Sequence, residues 1–476
     1  MHDPSLSSGA RSVANDGAYD NAHDRARQST PRSERGGRRA AYRARLLSFR
    51  ADPAVDEQAA IFHEDGLLIV GDDGRITAFG DYATLRDRLD ADTPVHTMRD
   101  KLIVPGFIDT HVHYPQTEMI ASPASGLLPW LENWTFPAER KFEDAAHAAD
   151  IASFFLDELL ACGTTTALVY CSVHLQSAQA LFEEAESRDL RIVAGKVLMD
   201  RHCPDYLRDT AQSGYDDSKT LIERWHNRGR QLYALTPRFA PTSTEAQLEA
   251  CRTLAREYGD IFIQTHVAEN HDEVRWVSEL FPARRSYLDV YDHYELVRPR
   301  AVYGHCIHLD DCDRCRMAEA RAVAAHCPTS NLFLGSGLFD FDAAAKTQMP
   351  VTLGTDVGGG TSFSMLQTMN EAHKVARMGG HHLSALRMFY LATTGAARAL
   401  DLDHQIGTLA VGAEADFIVL DPAATPLMAR RTAGADSLEE LLFAFALLGD
   451  DRAIAATYAN GKSVHERSKR PSAVTR

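Results

Sequence analysis

Residues 102–113 read LIVPGFIDTHVH, an apolar, β-branched run that closes on two histidines two positions apart. Side chains alternate across a strand, so His111 and His113 project from one side. Seven further runs of this kind follow: TTTALVYC (164–171), RIVAGKVLMD (191–200), LYALTPRFA (232–240), IFIQTHVAE (261–269), AVYGHCIHL (301–309), AVAAHCP (322–328) and PVTLGTD (350–356). Longer amphipathic stretches lie between them, among them DIASFFLDELLAC (150–162), AQALFEEAESRD (178–189) and TEAQLEACRTLAREYG (244–259). The last is opened by a threonine cap at Thr242 or Thr244. Eight strands alternating with helices over roughly 250 residues predict an α/β fold, a (β/α)8 TIM-like barrel.

Outward from the barrel the pattern changes. Residues 60–104 read as short strands with turns, and residues 405–465 return to that style with IGTLAVGAEADFIVLD and ATYANGKSV. Two strand-rich flanks predict one small β-sandwich built from both chain ends. The expected division is 41–103 for its first part, 104–404 for the barrel and 405–466 for its second part. Residues 1–40 are polar and rich in Arg, Ser, Asp and Gly, which predicts a disordered leader; residues 467–476 form a tail.

Composition narrows the class. Of 476 residues, 45% are apolar and 24% charged, the balance of a soluble globular protein. A formal net charge of −16 argues against a general affinity for nucleic acid or anionic membrane, and no apolar run is long enough to span a bilayer. The eight cysteines are scattered, several inside apolar runs, which favours free thiols in a reducing compartment and a cytoplasmic location. Cys312 and Cys315 have C-x-x-C spacing, but no second pair faces them, so the spacing reads as coincidence on a helix face.

The chemistry lies where polar residues interrupt the apolar runs. In a parallel barrel the site forms at the C-terminal strand ends. There the first run carries His111 and His113, the fifth His266 with Glu269 three residues on, the sixth His305 and the eighth Asp356. Any one of these has a bland reading: a packed or exposed histidine, or, for Asp356, a helix cap. Four strands placing imidazole or carboxylate at one end predict a mononuclear metal centre with an open position for water.

These motifs resemble the amidohydrolase superfamily. PGFIDTHVH (105–113), HVAE (266–269), GHCIHL (304–309) and GTDVG (354–358) are similar to its successive strand motifs, and GTLAVGAEADFIVLD (407–421) to its return to the β-sandwich. The resemblance implies that His111, His113, His266 and Asp356 ligate the metal, with His305 either a weak ligand or a hydrogen-bonding partner of the water. Binuclear members place a carboxylated lysine at the fourth strand end, where this chain has Arg238, so one metal is expected. Zn2+ is the first expectation and Fe2+ the alternative, since these ligands suit both. Lys196, in the third run, reads as structural or as support behind the site.

Within the superfamily, HVHYPQTEM (111–119), LPWLENWTFPAE (128–139), GKVLMDRHCPD (195–205), LTPRFAPT (235–242) and QTHVAEN (264–270) resemble the guanine deaminases. The likeness implies that Gln116, Arg238 and Phe239 hold a purine, that Glu269, His305 and Asp356 do the chemistry, and that the protein is a homodimer. An Arg fork and an amide can meet the edges of guanine, and Phe239 offers a flat face. Trp130 and Trp134 either close over the ring or pack. His202 departs from the asparagine usual in that branch, and Gly358–Gly360 read as a tight turn that lets substrate approach. Alternatives are a deaminase of a pterin, triazine or other purine, amide hydrolysis, and a non-catalytic dihydropyrimidinase-like scaffold. The last two are disfavoured by the missing lysine and by the full ligand set.

Overall fold

The computed structural model describes residues 39–467. The expected leader falls outside them except at its last two residues, and so does the tail beyond Arg467. The chain opens with strands β1 (Ala40–Phe49), β2 (Ala60–Val70), β3 (Ile76–Asp81) and β4 (Val95–Pro105). The barrel strands are β5 (Phe107–His113), β6 (Thr164–Tyr170), β7 (Arg191–Gly195), β8 (Val197–Leu198), β9 (Leu232–Pro237), β10 (Phe262–Val267), β11 (Ala301–His305), β12 (Val323–His326) and β13 (Val351–Leu353). After the barrel come β14 (Phe417–Leu420), β15 (Ile454–Ala459) and β16 (Lys462–Glu466).

Each of the eight apolar runs holds a barrel strand, and neighbouring strands pair in parallel in the order β5-β6-β7-β9-β10-β11-β12-β13, with β8 beside β9. The two ends meet through Asp356 N–H donating to the His111 carbonyl (2.8 Å) and the Thr110 and Thr352 hydroxyls at 2.8 Å. Alternation sorts the side chains: Leu168, Val193, Phe262, Val302 and Val323 join one apolar cluster, while Ala167, Val169, Ile192 and Ile263 join the larger one under the helices. Helix Ala145–Ala161 buries Ile151, Phe155, Leu156 and Leu159 at helical spacing, and Asp144 caps its start. Thr244, not Thr242, caps Glu245–Glu257, its hydroxyl accepting from Gln247 N–H (3.2 Å).

Strands from both flanks share one seven-stranded sheet in the order β16-β15-β14-β4-β1-β2-β3. The run 102–113 is therefore two strands. LIVP ends β4 and pairs with β14, while FIDTHVH is β5; Gly106 between them donates to the Asp416 carbonyl (3.0 Å). The second flank also contains helices Pro426–Thr432 and Leu438–Leu448, which interrupt its strand-like pattern. At the N-terminal end of the barrel, Arg191 meets Glu414 (2.7 Å), and Arg230 meets both Glu414 (2.6 Å) and Asp416. All four side chains are buried. Two cations and two anions compensate one another there, whereas removal of one partner would strand a buried charge. Among the described residues no helix is long and apolar enough to cross a membrane.

Candidate active site

Five ionisable side chains converge at the C-terminal strand ends. His111, His266, His305 and Asp356 each place a ligand atom within 4.8 Å of one another. His113 joins them: its Nε2 lies 3.3 Å from His111 Nε2, 3.2 Å from His266 Nε2 and 3.3 Å from Asp356 Oδ1. His111 Nε2 is likewise 3.3 Å from Asp356 Oδ1. His266 Nδ1 donates to the Arg238 carbonyl (2.6 Å) and His305 Nδ1 to Asn331 Oδ1 (2.9 Å), so each Nε2 turns a lone pair into the cluster.

Lone pairs facing one another in a buried site repel unless a cation lies between them. Ligand bonds of about 2.0–2.1 Å in tetrahedral array put donor atoms roughly 3.3 Å apart. The nitrogen and oxygen separations match that edge, so the residues fit a divalent metal. Their electrostatics agree. Burial lowers the basicity of His111 and His266, and takes His113 down to about 3, keeping their lone pairs free of protons. Burial alone would raise Asp356, but positive charge beside it, on the His111 ring foremost when that is protonated, draws its carboxyl well below the usual range, and a bound cation would act in the same direction.

Room for the imidazoles comes from glycine. A Cβ on Gly304 would lie 2.4 Å from His111 Cε1, and one on Gly354 would lie 2.7 Å from His111 Cβ. Asp109, fully buried, accepts from the backbone N–H of His111 (3.2 Å) and of Thr355 (3.0 Å), tying the β5 end to the segment after β13.

Beside the cluster, Glu269 Oε2 is 3.3 Å from His305 Nε2, while Oε1 accepts from the Ser336 hydroxyl (2.8 Å). Burial first, then the negative Asp356, push Glu269 up to about 8, so below that pH its carboxyl holds a proton. Glu273 sits behind it, accepting from Glu269 N–H (2.9 Å), Asn270 N–H (3.2 Å) and the Tyr287 hydroxyl (2.7 Å). Burial and Glu269 raise Glu273 to about 7.

A cleft of about 400 Å³, its mouth included, opens over these groups. Gln116, Arg238 and Phe239 line it together with Trp130, Leu127 and Leu334. Every residue singled out from sequence for metal, chemistry or ligand binding thus borders one cleft or the cluster beneath it. The tryptophans divide: Trp130 is buried in the wall, while Trp134 is 41% exposed. Gly359 lines the cleft, and Gly358 N–H donates to Gln116 Oε1 (3.2 Å). His202 has φ +48°, a conformation that asparagine adopts readily, and its ring lies 5.2 Å from Trp276, which in turn edges Phe239. Lys196 is buried against Asp209 (2.7 Å), and Cys312 and Cys315 are exposed on helix Asp311–Ala320.

Sequence reasoning passed over Glu139, Asn331, Ser336 and Glu273. Glu139 is fully buried and closes the stretch LPWLENWTFPAE; its carboxylate receives Arg238 Nη1 (2.8 and 2.9 Å) and Gln116 Nε2 (3.2 Å). Nothing local marks it, since its main partner lies 99 residues away.

A sequence model of the amidohydrolase family matches residues 102–464. Guanine deaminase of Escherichia coli (strain K12) is 49% identical over 417 residues, 88% of this chain and 95% of that enzyme. The solved structure of E. coli guanine deaminase superposes with a TM-score of 0.87 at 47% identity, covering 90% of this chain and 99% of that one. Guanine deaminase from C. acetobutylicum, solved with guanine bound in its active site, superposes with a TM-score of 0.80 at 26% identity, covering 90% and 100%.

Proposed function

This chain belongs to the amidohydrolase family, and from that membership and the cleft it carries we propose that it hydrolyses guanine to xanthine and ammonia. The observation that carries the proposal is the placement of Gln116, Arg238, Phe239 and Glu269 around one cleft directly over the His/Asp cluster. We take His111, His113, His266 and Asp356 as the ligands of a single metal, with His305 beside them. The donor set of imidazoles and one carboxylate supports zinc, with Fe2+ the alternative. Eight free cysteines support a reducing, cytoplasmic setting, and kinship with guanine deaminases supports a free purine as the substrate.

When bound, the metal would lower the pKa of a water molecule towards about 7, supplying a nucleophile for C2 of guanine near neutral pH. The protein's own groups do the rest. Phe239 lies against the ring, and Arg238 and Gln116 direct hydrogen bonds to its polar edges. Asp356 or Glu269 takes the water's proton. Glu269 delivers a proton to the ring nitrogen next to C2, which makes that carbon electrophilic, and His305 stands near the incoming oxygen. The new C2 hydroxyl gives up its proton to Glu269, which passes it to the departing amino group; the C–N bond breaks, ammonia leaves and C2 keeps the oxygen as a carbonyl. Its raised pKa suits a group that must both hold and release a proton, a cation at the cluster offsetting part of the rise.

The test follows ammonia release together with the ultraviolet change from guanine to xanthine, with adenine, cytosine and a pterin as controls. Turnover of guanine, abolished by chelation and restored by zinc, is expected. A metal-loaded protein that turned over a different amino-heterocycle and not guanine would overturn the assignment of the cleft while leaving the metal centre intact.

A further inference from the structure

Arg238 does not present a bare cation to the cleft. Its Nη1 is held between both oxygens of Glu139, at 2.8 and 2.9 Å, and both side chains are at most 3% exposed. Among the described residues its Nε and Nη2 meet no protein acceptor. The guanidinium carbon lies 5.7 Å from the Phe136 ring centre, so the fork is packed as well as paired.

The same carboxylate reaches Gln116. Gln116 Nε2 donates to Glu139 Oε1 (3.2 Å), while Gly358 N–H donates to Gln116 Oε1 (3.2 Å). With an acceptor on one side and a donor on the other, the amide has one orientation only. Glu139 comes from the short helix Phe136–Arg140, Gln116 from the turn after β5 and Arg238 from the end of β9. One buried carboxylate therefore ties together three separate parts of the rim.

We infer that Glu139 is a positioning and specificity-determining residue: it fixes Gln116 and neutralises Arg238, so that the ligand face offers directed donors without net charge and selects a neutral heterocycle over an anionic one. The inference rests on the reading of Gln116 and Arg238 as ligand-binding groups. Its chemistry is simple. A guanidinium without a counter-ion in a buried cleft would favour an anion, and xanthine, with its second ring carbonyl, sheds a proton more readily than guanine. Compensation by Glu139 keeps the substrate competitive with its own product.

Two probes that cannot be deaminated separate charge from shape: hypoxanthine, neutral at pH 7.5, and urate, an anion at that pH. Their affinities for the metal-loaded protein and for Glu139→Gln are to be measured by calorimetry. The glutamine is isosteric and can still accept from Arg238, but it carries no charge. Steric differences between the probes cancel when each variant's urate-to-hypoxanthine ratio is compared. The ratio is expected to move towards urate by about tenfold or more, the effect of one uncompensated charge a few ångströms from an anion at an effective dielectric of about 20. A folded Glu139→Gln with an unchanged ratio overturns the inference, and so does failure of both proteins to bind either ring. Should Glu139→Gln not fold, Glu139→Asp carries the test: it keeps the charge, so its ratio must stay with the wild type while both affinities fall, and a shift towards urate overturns the inference. Guanine turnover by the wild type is scored separately, so failure of the proposed reaction and failure of charge compensation give different results.

Discussion

Replacing Glu269 by glutamine separates the two jobs of the site. Glu269 stands outside the four-group cluster, and the amide oxygen of the substituted side chain can still accept from the Ser336 hydroxyl that now lies 2.8 Å from Glu269 Oε1. Metal content should therefore match the wild type. An amide cannot give and take a proton at neutral pH, and one positioned acid–base group is worth about 10²–10⁴ in rate. At 1.36 kcal/mol per tenfold, kcat should fall by the equivalent of about 3–5 kcal/mol, with KM for guanine changed only a few-fold. The same substitution should stabilise the metal-free protein. Glu269 rises from its ordinary 4.5 to about 8 in the fold, so between those pH values the unfolded chain ionises and the native carboxyl does not. The native state loses stability progressively as pH rises from 4.5 to about 8, to the extent of about 3 kcal/mol at pH 7. Chelated Glu269→Gln should thus melt higher than chelated wild type at pH 7, the gap closing towards pH 4.5. Metal analysis, ammonia release and melts at several pH values cover all three. Full metal occupancy with a tenth or more of wild-type kcat would refute the proton-transfer role.

Arg230→Ala leaves Asp416 buried without its cation and Glu414 with Arg191 alone, and should cost about 3–5 kcal/mol in denaturant unfolding. Burial pushes Glu414 up, but Arg230 and Arg191 hold it below its ordinary 4.5, so this stabilisation is present above that pH and fades as pH falls through the lower folded value; the gap between mutant and wild type should narrow in acid. Gly304→Ala places a methyl 2.4 Å from the His111 ring and should lower metal content and activity together, while melting of the chelated protein changes less. A thiol reagent should modify two cysteines, Cys312 and Cys315, in the native protein and all eight in denaturant; more than two fast-reacting thiols in the native state would contradict the burial of the other six.

The barrel was legible because two signals coincide in each run: apolar β-branched composition, and a polar residue at the end that faces the mouth. His111, His113, His266, His305 and Asp356 could be read as a set because strand direction alone places them together. The small sheet was less legible. LIVPGFIDTHVH is continuous in composition, and only pairing with β14, about 300 residues on, divides it at Gly106. LEELLFAFALL (438–448) hid among strand-like neighbours because its apolar residues fill most of the helix circumference, and periodicity weakens as polar residues thin out. Glu139 gave no local signal, because a glutamate in a short helical stretch is ordinarily exposed. Its burial depends on Arg238, and no spacing rule connects positions that meet only when the barrel closes.

Among the described residues fourteen non-glycine positions have positive φ, and four of them stand at the C-terminal ends of barrel strands. Ala268 (φ +51°), His305 (φ +71°), Cys306 (φ +54°) and Asp356 (φ +52°) all occupy the left-handed region, and each lies at or just after the end of a barrel strand. Each such non-glycine residue costs of order 1–3 kcal/mol. The conformations are held by neighbours: Cys306 N–H donates to the Val267 carbonyl (3.1 Å), His308 N–H to Ala268 (2.9 Å) and Asp356 N–H to His111 (2.8 Å). The turns after Ala268 and at His305 set Glu269 against the His305 ring, and the turn at Asp356 aims its carboxylate at His111 and His113. Ideal strand ends would point these groups elsewhere. The opposite end of the barrel carries the compensating arrangement, with apolar packing and the Arg191–Arg230–Glu414–Asp416 cluster binding barrel to sheet. The mouth can hold a preorganised, locally unfavourable geometry because the surrounding hydrogen bonds and packing leave it no alternative.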